Sequence, residues 1–187
     1  IPLPPKNYGE KYVDENGKLT QDSQTAYLMA LKFDLLPEEC REKAIKVLDE
    51  KIKKNGYKLS TGFLGTGILT QTLSEVGLSN LAYSLLLQTE DPSWLYSVYQ
   101  GATTVWERWN SYTLEKGFGD VGMNSFNHYA YGSVADWLYG DAAGIKIDES
   151  KPAFEHIVFA PVTDGRLTYV KASIDTRKGL VKSEWKT

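Results

Sequence analysis

The stretch from Pro37 to Gly56, PEECREKAIKVLDEKIKKNG, decides the fold class of this chain. Its apolar side chains recur every four residues from Cys40 to Ile52, and charged side chains fill the remaining faces. This spacing predicts an amphipathic helix whose apolar face, including Cys40, lies in the core. The acids that follow Pro37 and the lysines that precede Asn55 suit the two ends of a helix dipole, and Gly56 supplies a left-handed stop.

Other stretches before residue 144 show the same helical spacing. The segment Phe63–Val76 is apolar on nearly all sides, which is typical of a buried helix. Alternation of outer amphipathic helices with apolar inner ones favours a two-layer helical toroid or solenoid over a four-helix bundle. We therefore predict about three helical hairpins. They follow an N-terminal segment of about 20 residues that is rich in Pro and Gly and is expected to be extended. The further helices are predicted at Gln21–Leu36, at Phe63–Val76, after Ser79, at Trp94–Tyr99 and at Ser125–Tyr139.

The hydrophobic period changes from that of a helix to that of a strand after Gly144. Strand patterns cover Phe154–Phe159, Leu167–Ile174 and Leu180–Trp185, and the turn residues 175–179 predict a hairpin between the last two. The predicted fold class is therefore mainly α, a partial helical toroid followed by a few antiparallel β-strands. We place the domain boundary between residues 1–144 and residues 145–187.

Composition excludes several classes of function. The 21 basic and 24 acidic residues give a net charge of −3, which argues against a nucleic acid or an anionic membrane surface as partner. No apolar run reaches the roughly 18 residues that a membrane span needs. With one cysteine and two histidines, neither a disulfide framework nor a metal site is expected, and no cofactor motif is present. The lone cysteine is compatible with secreted, periplasmic and cytoplasmic compartments, so localisation stays open.

Aromatic residues concentrate between Trp94 and Tyr139, which hold 12 of the 23 in the chain. Within this region the string GATTVWERWNS places Glu107 between Trp106 and Trp109. Indole faces suit the C–H surface of a sugar, and a carboxylate enclosed by them has its pKa raised towards the range of proton transfer. The alternative is that both indoles are packing anchors of a helix while Glu107 pairs with Arg108 at the surface.

A second cluster of polar and aromatic residues surrounds His128 in the string NSFNHYAYG, residues 124–132. Asn, His and Tyr side chains near a helix start provide the directional hydrogen bonds that polyhydroxylated ligands require. A histidine satisfied by a neighbouring helix is the alternative. The string GFLGTG, residues 62–67, matches neither the dinucleotide-binding spacing nor a P-loop, so close helix packing is the better explanation of its glycines.

Four strings in this chain resemble the α-L-rhamnosidases of glycoside hydrolase family 78, and the resemblance runs from about Leu19 to the end. The string TTVWERW followed by SFNH is the most specific part, and its order and spacing agree with that family. The four strings are TGFLGT at 61–66, DPSWLY at 91–96, GATTVWERW at 101–109 and SFNHYAYGSV at 125–134.

The resemblance implies an (α/α)6 barrel followed by a C-terminal β-sandwich, and an enzyme that removes terminal α-L-rhamnose from glycosides with inversion. It implies that Glu107 is the general base and that His128 contacts the sugar. Trp106, Trp109 and Trp94 are expected to form walls of the sugar pocket.

An inverting glycosidase also needs a general acid, roughly 6.5–9.5 Å from the base. In the family this acid belongs to an acidic, Arg-containing motif upstream, and no matching string occurs in this sequence, which starts at Ile1. We therefore expect the C-terminal half of a catalytic barrel plus the first strands of the next domain. Such a piece is expected to have little activity alone and to self-associate through the surface that the missing helices would cover.

Two other functions remain open. The first is another exo-glycosidase on an (α/α)6 barrel, which a panel of aryl glycosides would separate from a rhamnosidase. The second is a non-catalytic carbohydrate-binding or helical interaction module, which would tolerate replacement of Glu107 by glutamine. The hairpins show no fixed repeat length, which disfavours a helical-repeat scaffold.

Overall fold

The computed structural model describes residues 11–187, and these divide into two compact units, the first ending at Gly132 and the second spanning Ser133–Thr187. The first half of the predicted extended segment lies outside the described residues. Residues 13–19 form a loop that an isolated bridge between Val13 and Leu19 closes. The helices of the first unit are α1 (Gln24–Lys32), α2 (Glu38–Lys54), α3 (Phe63–Glu75), α4 (Ser79–Leu86) and α5 (Trp94–Tyr99).

Helix α2 confirms the pattern that opened the sequence analysis. Its buried residues are Cys40, Ala44, Leu48 and Ile52, which are the four positions of the predicted apolar face. The first turn carries two glutamates and the last turn carries three lysines, as the helix dipole favours. Burial of this face on one side and solvation of the charges on the other fixes how the helix lies on the core.

Helix α1 is shorter than the predicted Gln21–Leu36. Ser23 caps its start, because the Ser23 hydroxyl accepts a hydrogen bond from the backbone N–H of Ala26 at 3.2 Å. Its end is set by Asp34, which has a φ of 51° in the left-handed region. The backbone N–H of Leu35 then donates to the carbonyl of Ala30 at 2.9 Å, the bond that closes a Schellman turn.

The core of the first unit forms where α1 packs against α2 and α3, and where α3 packs against α4. Gly65 permits the closest approach, since a Cβ at this position would lie 2.4 Å from Oγ1 of Thr25 and 2.9 Å from Cγ2 of Thr61. The packing explanation of the glycine-rich string is confirmed at Gly65. It is wrong at Gly62 and Gly67, where a Cβ would meet no atom of the described residues within 4 Å.

The predicted helix Ser125–Tyr139 is wrong. Residues 125–128 are not helical, because their backbone pairs with residues 105–107 instead. After them come a 3-10 helix (Tyr129–Ser133), a short helix α6 (Val134–Trp137) and a π-helical turn (Leu138–Ala142). Residues 101–111 also contain no helix, so the alternative that made Trp106 and Trp109 anchors of one is wrong.

The strands form antiparallel pairs. In the first unit β1 (Tyr112–Thr113) pairs with β2 (Gly117–Phe118), two strands that the sequence pattern did not predict. In the second unit β3 (Ile145–Ile147) pairs with β4 (Ile157–Phe159), and β5 (Tyr169–Thr176) pairs with β6 (Gly179–Lys186).

The predicted change from helices to strands after Gly144 is confirmed, but the strands differ from the prediction in two ways. Strand β4 starts at Ile157 rather than Phe154, because Ala153 and Phe154 have φ values of 60° and 61° and form a turn. Strand β3 is an addition, and its short length explains why no pattern marked it. Gly144 itself has a φ of 73°, and a Cβ there would lie 2.2 Å from the backbone nitrogen of Pro161, so the turn requires glycine.

Side chains of β6 hold the end of the π-helical turn. Trp185 Nε1 donates to the carbonyl of Ala142 at 2.8 Å, and the Ser183 hydroxyl donates to the carbonyl of Ala143 at 2.6 Å. The boundary between residues 144 and 145 stays a prediction. Among the described helices none is both long and apolar enough to cross a membrane.

Candidate active site

Two loop segments of the first unit, residues 104–107 and 125–128, pair through their backbones. The N–H of Glu107 donates to the carbonyl of Ser125 at 2.9 Å, and the N–H of His128 donates to the carbonyl of Val105 at 2.8 Å. The Thr104 hydroxyl also donates to the carbonyl of Phe126. This pairing brings the predicted base and the predicted sugar-contacting histidine onto one short ladder, which we call the paired loops.

Glu107 is half-buried as a residue, and its carboxylate is held by a hydrogen bond from the backbone. Its Oε2 accepts a hydrogen bond from the N–H of Ser125 at 2.8 Å. Within residues 11–187 no ion pair joins the Glu107 carboxylate to the Arg108 guanidinium. The surface ion pair of the alternative reading is therefore not formed there. The hydrogen bond from the backbone N–H holds Oε2 of the carboxylate in place. The other oxygen, Oε1, keeps lone pairs that can accept a proton.

His128 is held by a hydrogen bond and by ring stacking. Its Nδ1 accepts from the N–H of Ala130 at 3.4 Å. The Phe63 ring stacks on the imidazole with centroids 4.4 Å apart and planes 16° apart. The Tyr129 ring lies parallel to the imidazole at 5.8 Å. Since Nδ1 accepts this hydrogen bond through its lone pair, the neutral imidazole carries its proton on Nε2, which makes Nε2 a donor.

Tyr131 packs with Trp94 and Trp109, and we call these three residues the aromatic cluster. Tyr131 is 8% exposed, and its ring stacks on Trp109 at 3.9 Å and contacts Phe63 at 5.1 Å. Its carbonyl accepts from Trp94 Nε1 at 2.8 Å. Burial, and secondarily the negative charge of Glu107, raise the pKa of the Tyr131 hydroxyl.

The indoles of the predicted pocket wall each have aromatic or backbone partners. Trp94 and Trp109 meet edge to face at 5.6 Å and are half-buried. Trp106 is 7% exposed and packs edge to face on Phe126 at 5.3 Å and on Tyr112 at 6.4 Å. Trp106 is thus packed within the paired loops, whereas Trp94 and Trp109 contact Tyr131. Direct contact between the indoles and a sugar stays a prediction.

Sequence reasoning missed three residues of this site: Phe63, Ser125 and Tyr131. All three lie inside strings that carried the family resemblance, so that signal could have pointed to them. Asp91 is a further half-buried carboxyl near the cluster, 3.4 Å from Asn110 Nδ2, and its burial raises its pKa against the opposing charge of Lys58. Within residues 11–187 no group of His, Cys, Asp and Glu is arranged to hold a metal ion.

Comparison with family models finds two matches in chain order. Residues 5–142 match the bacterial α-L-rhamnosidase 6-hairpin glycosidase domain, and residues 144–187 match the bacterial α-L-rhamnosidase C-terminal domain. The first of these models covers most of the chain. The match to a six-hairpin domain, together with the helices and strand pairs described above, confirms the predicted fold class, a partial helical toroid followed by antiparallel strands.

Individual relatives agree with the family models. The chain is 46% identical over 173 residues to an α-L-rhamnosidase of Formosa agariphila, covering 91% of this chain and 18% of that protein. It is 41% identical to an α-L-rhamnosidase of an Alteromonas species, covering 96% of this chain and 20% of that one. The crystal structure of Streptomyces avermitilis α-L-rhamnosidase complexed with L-rhamnose superposes with a TM-score of 0.91 at 39% identity, covering 97% of this chain and 18% of that chain.

The match therefore extends over nearly all of this chain but only a limited part of each relative. The chain spans about a fifth of the length of the curated relatives it matches. The strings that carried the resemblance fall within the residues that the six-hairpin model covers. By the family models, by sequence identity and by structural superposition, this chain belongs to the bacterial α-L-rhamnosidase family.

Proposed function

We propose that the protein to which this chain belongs is a glycoside hydrolase that removes terminal α-L-rhamnose from a rhamnose-containing glycoside, with Glu107 as the general base. The family membership supports the reaction class. The observation that carries the role of Glu107 is the 2.8 Å hydrogen bond from the Ser125 N–H to its Oε2. A base must hold a fixed direction towards the water that it deprotonates, and this bond supplies one.

The proposed mechanism is inverting. Glu107 removes a proton from a water molecule as the water attacks the anomeric carbon from the face opposite to the leaving group. The proton ends on the carboxylate, and the C–O bond to the leaving group breaks as the new C–O bond forms. A second carboxyl, acting as general acid, protonates the departing oxygen. We place this acid in a part of the protein outside this chain, since none of the matching strings contains the family's acidic motif.

His128 is proposed to bind the sugar through Nε2. The hydrogen bond from Ala130 N–H to Nδ1 selects the tautomer in which Nε2 carries the proton. An N–H donor held on the same paired loops as the base suits a rhamnose hydroxyl, which accepts such a bond. Trp94, Trp106 and Trp109 are proposed as walls of the pocket, where their bulk would exclude water.

The test replaces Glu107 by glutamine in the intact protein that contains this chain. Glutamine keeps the size of the side chain but cannot accept the proton, so kcat on an aryl α-L-rhamnoside should fall by about 10²–10⁴. Glu115→Gln is the matched control, because Glu115 is an exposed carboxylate between β1 and β2. Turnover of Glu107→Gln equal to that of the control would remove Glu107 from the mechanism.

The stereochemical part is tested separately by NMR of the released sugar. An inverting enzyme gives β-L-rhamnose first, and the α anomer appears only as the sugar mutarotates. Release of the α anomer first would contradict inversion while leaving the substrate assignment intact. Hydrolysis of other aryl glycosides at a comparable rate would instead support a different exo-glycosidase.

A further inference from the structure

Phe63 is the first residue of α3 and contacts two rings of the candidate active site. It stacks on His128 with planes 16° apart and meets Tyr131 at 5.1 Å with planes 52° apart. Tyr131 is in turn stacked on Trp109. Phe63 therefore connects the imidazole to the aromatic cluster, although Phe63 is far in the sequence from His128 and Tyr131.

The other restraints on the imidazole are weaker than the stack with Phe63. The Tyr129 ring is also parallel to the imidazole, but its centroid is 5.8 Å away and Tyr129 is 89% exposed. The bond from the Ala130 N–H to Nδ1 is 3.4 Å long, at the far end of the range for a hydrogen bond. The bond from the His128 N–H to Val105 fixes the backbone but not the rotation of the ring. Contact with a flat aromatic face at 4.4 Å restricts the ring plane directly.

We propose that Phe63 is a positioning residue: its ring holds the plane of the His128 imidazole so that Nε2–H points where a sugar hydroxyl binds. This inference rests on the proposed function, in which His128 contacts the sugar. Phe63 itself needs no contact with the substrate. Its position at the start of α3 is set by packing far from the paired loops, since Gly65 seats the same helix turn against Thr25 and Thr61.

Without the Phe63 ring the imidazole would be less restrained and would point Nε2–H at the sugar hydroxyl in a smaller fraction of its orientations. An aromatic contact of this kind changes affinity by about two- to tenfold. We therefore expect Phe63→Leu to raise KM for an aryl α-L-rhamnoside by about two- to tenfold in the intact protein, with kcat little changed, because ground-state and transition-state binding are lost together. Phe63→Tyr keeps the ring and should restore KM.

The control is Leu64→Ala, because Leu64 is adjacent on α3 and 79% exposed. It should leave KM within about twofold, a change smaller than the loss of an aromatic contact. The thermal midpoint of each variant is measured beside its kinetics, so that a loss through unfolding is recognised. An unchanged KM in Phe63→Leu would overturn the proposal.

A double-mutant cycle separates positioning from general packing. If Phe63 acts through His128, Phe63→Leu should have little further effect on KM once His128 is alanine. An equal effect of Phe63→Leu in both backgrounds would overturn the positioning role while leaving the proposed function standing. If His128→Ala alone leaves KM unchanged, the sugar-binding role of His128 fails, and the inference about Phe63 fails with it.

Discussion

Glu107 and Ser125 are joined by two hydrogen bonds that run in opposite directions. The Glu107 N–H donates to the Ser125 carbonyl at 2.9 Å, and the Ser125 N–H donates to the Glu107 carboxylate at 2.8 Å. One residue thus fixes both the backbone and the side chain of the proposed base. The donor is a peptide group, so the side chain of Ser125 is not what orients Glu107.

This relationship predicts different results for two substitutions of Ser125. Ser125→Pro removes the N–H and one charge-assisted hydrogen bond, so kcat on an aryl α-L-rhamnoside should fall by about 10- to 100-fold in the intact protein. Ser125→Ala keeps the N–H and should retain most of the activity. Equal losses in the two variants, at unchanged thermal midpoints, would show that the peptide N–H does not orient the base.

Two glycines of α3 should respond oppositely to alanine. Gly65→Ala places a methyl group 2.4 Å from Thr25 Oγ1 and 2.9 Å from Thr61 Cγ2, so the free energy of unfolding should fall by about 1–3 kcal/mol. Gly67→Ala meets no described atom within 4 Å and should stabilise the helix by about 0.5–1 kcal/mol. Urea unfolding measures both. A Gly65→Ala variant as stable as Gly67→Ala would contradict the close packing of α1 and α3.

Tyr27 predicts a loss of stability at alkaline pH. Its fully buried hydroxyl donates to Asp22 at 3.1 Å and accepts from the Leu19 N–H at 3.0 Å, and burial is the main cause that raises its pKa to about 12. The folded protein therefore keeps this proton where the unfolded chain, with a pKa near 10, loses it. The raised pKa of Tyr27 contributes up to about 2–3 kcal/mol to the free energy of unfolding. This contribution is complete below pH 10 and is lost as pH rises through 12.

The comparison with Tyr27→Phe isolates this effect, because phenylalanine does not titrate. At pH 8 the parent protein should be more stable than Tyr27→Phe in urea unfolding, and the difference should shrink above pH 10. Tyr57→Phe is the control at a position that is 38% exposed. A difference that stays constant from pH 8 to pH 12 would contradict the raised pKa of Tyr27.

Trp185 should stabilise the second unit through one hydrogen bond of its indole N–H. Trp185→Phe keeps an aromatic ring but removes the donor to the Ala142 carbonyl, which is 1% exposed as a residue and would be left without this partner. We expect the free energy of unfolding to fall by about 1–3 kcal/mol. Tyr169→Phe, at a position that is 61% exposed, is the control and should change it by less than about 0.5 kcal/mol. Equal stability of the two variants would contradict the role of this bond.

Patterns that depend on near neighbours in the chain predicted the regular elements well. The four-residue spacing in α2 and the turn residues between β5 and β6 both led to the observed structure. These signals are local, because a helix face and a hairpin turn are each set by residues a few positions apart. The family strings also led to the prediction of Glu107 and His128 as site residues, but gave no geometry for them.

The structure around the candidate active site was decided by contacts between distant residues. The pattern from Ser125 to Tyr139 predicts a helix. Residues 125–128 instead pair with residues 105–107, and helical structure begins only at Tyr129. The stack of Phe63 on His128 likewise joins two segments that no local period relates. The sequence by itself determined helices α1 to α5, the hairpin of β5 and β6, and the family. Only the tertiary structure decided the geometry of the candidate site. Backbone N–H and C=O groups must be hydrogen-bonded, and here distant segments brought together by packing supplied the partners.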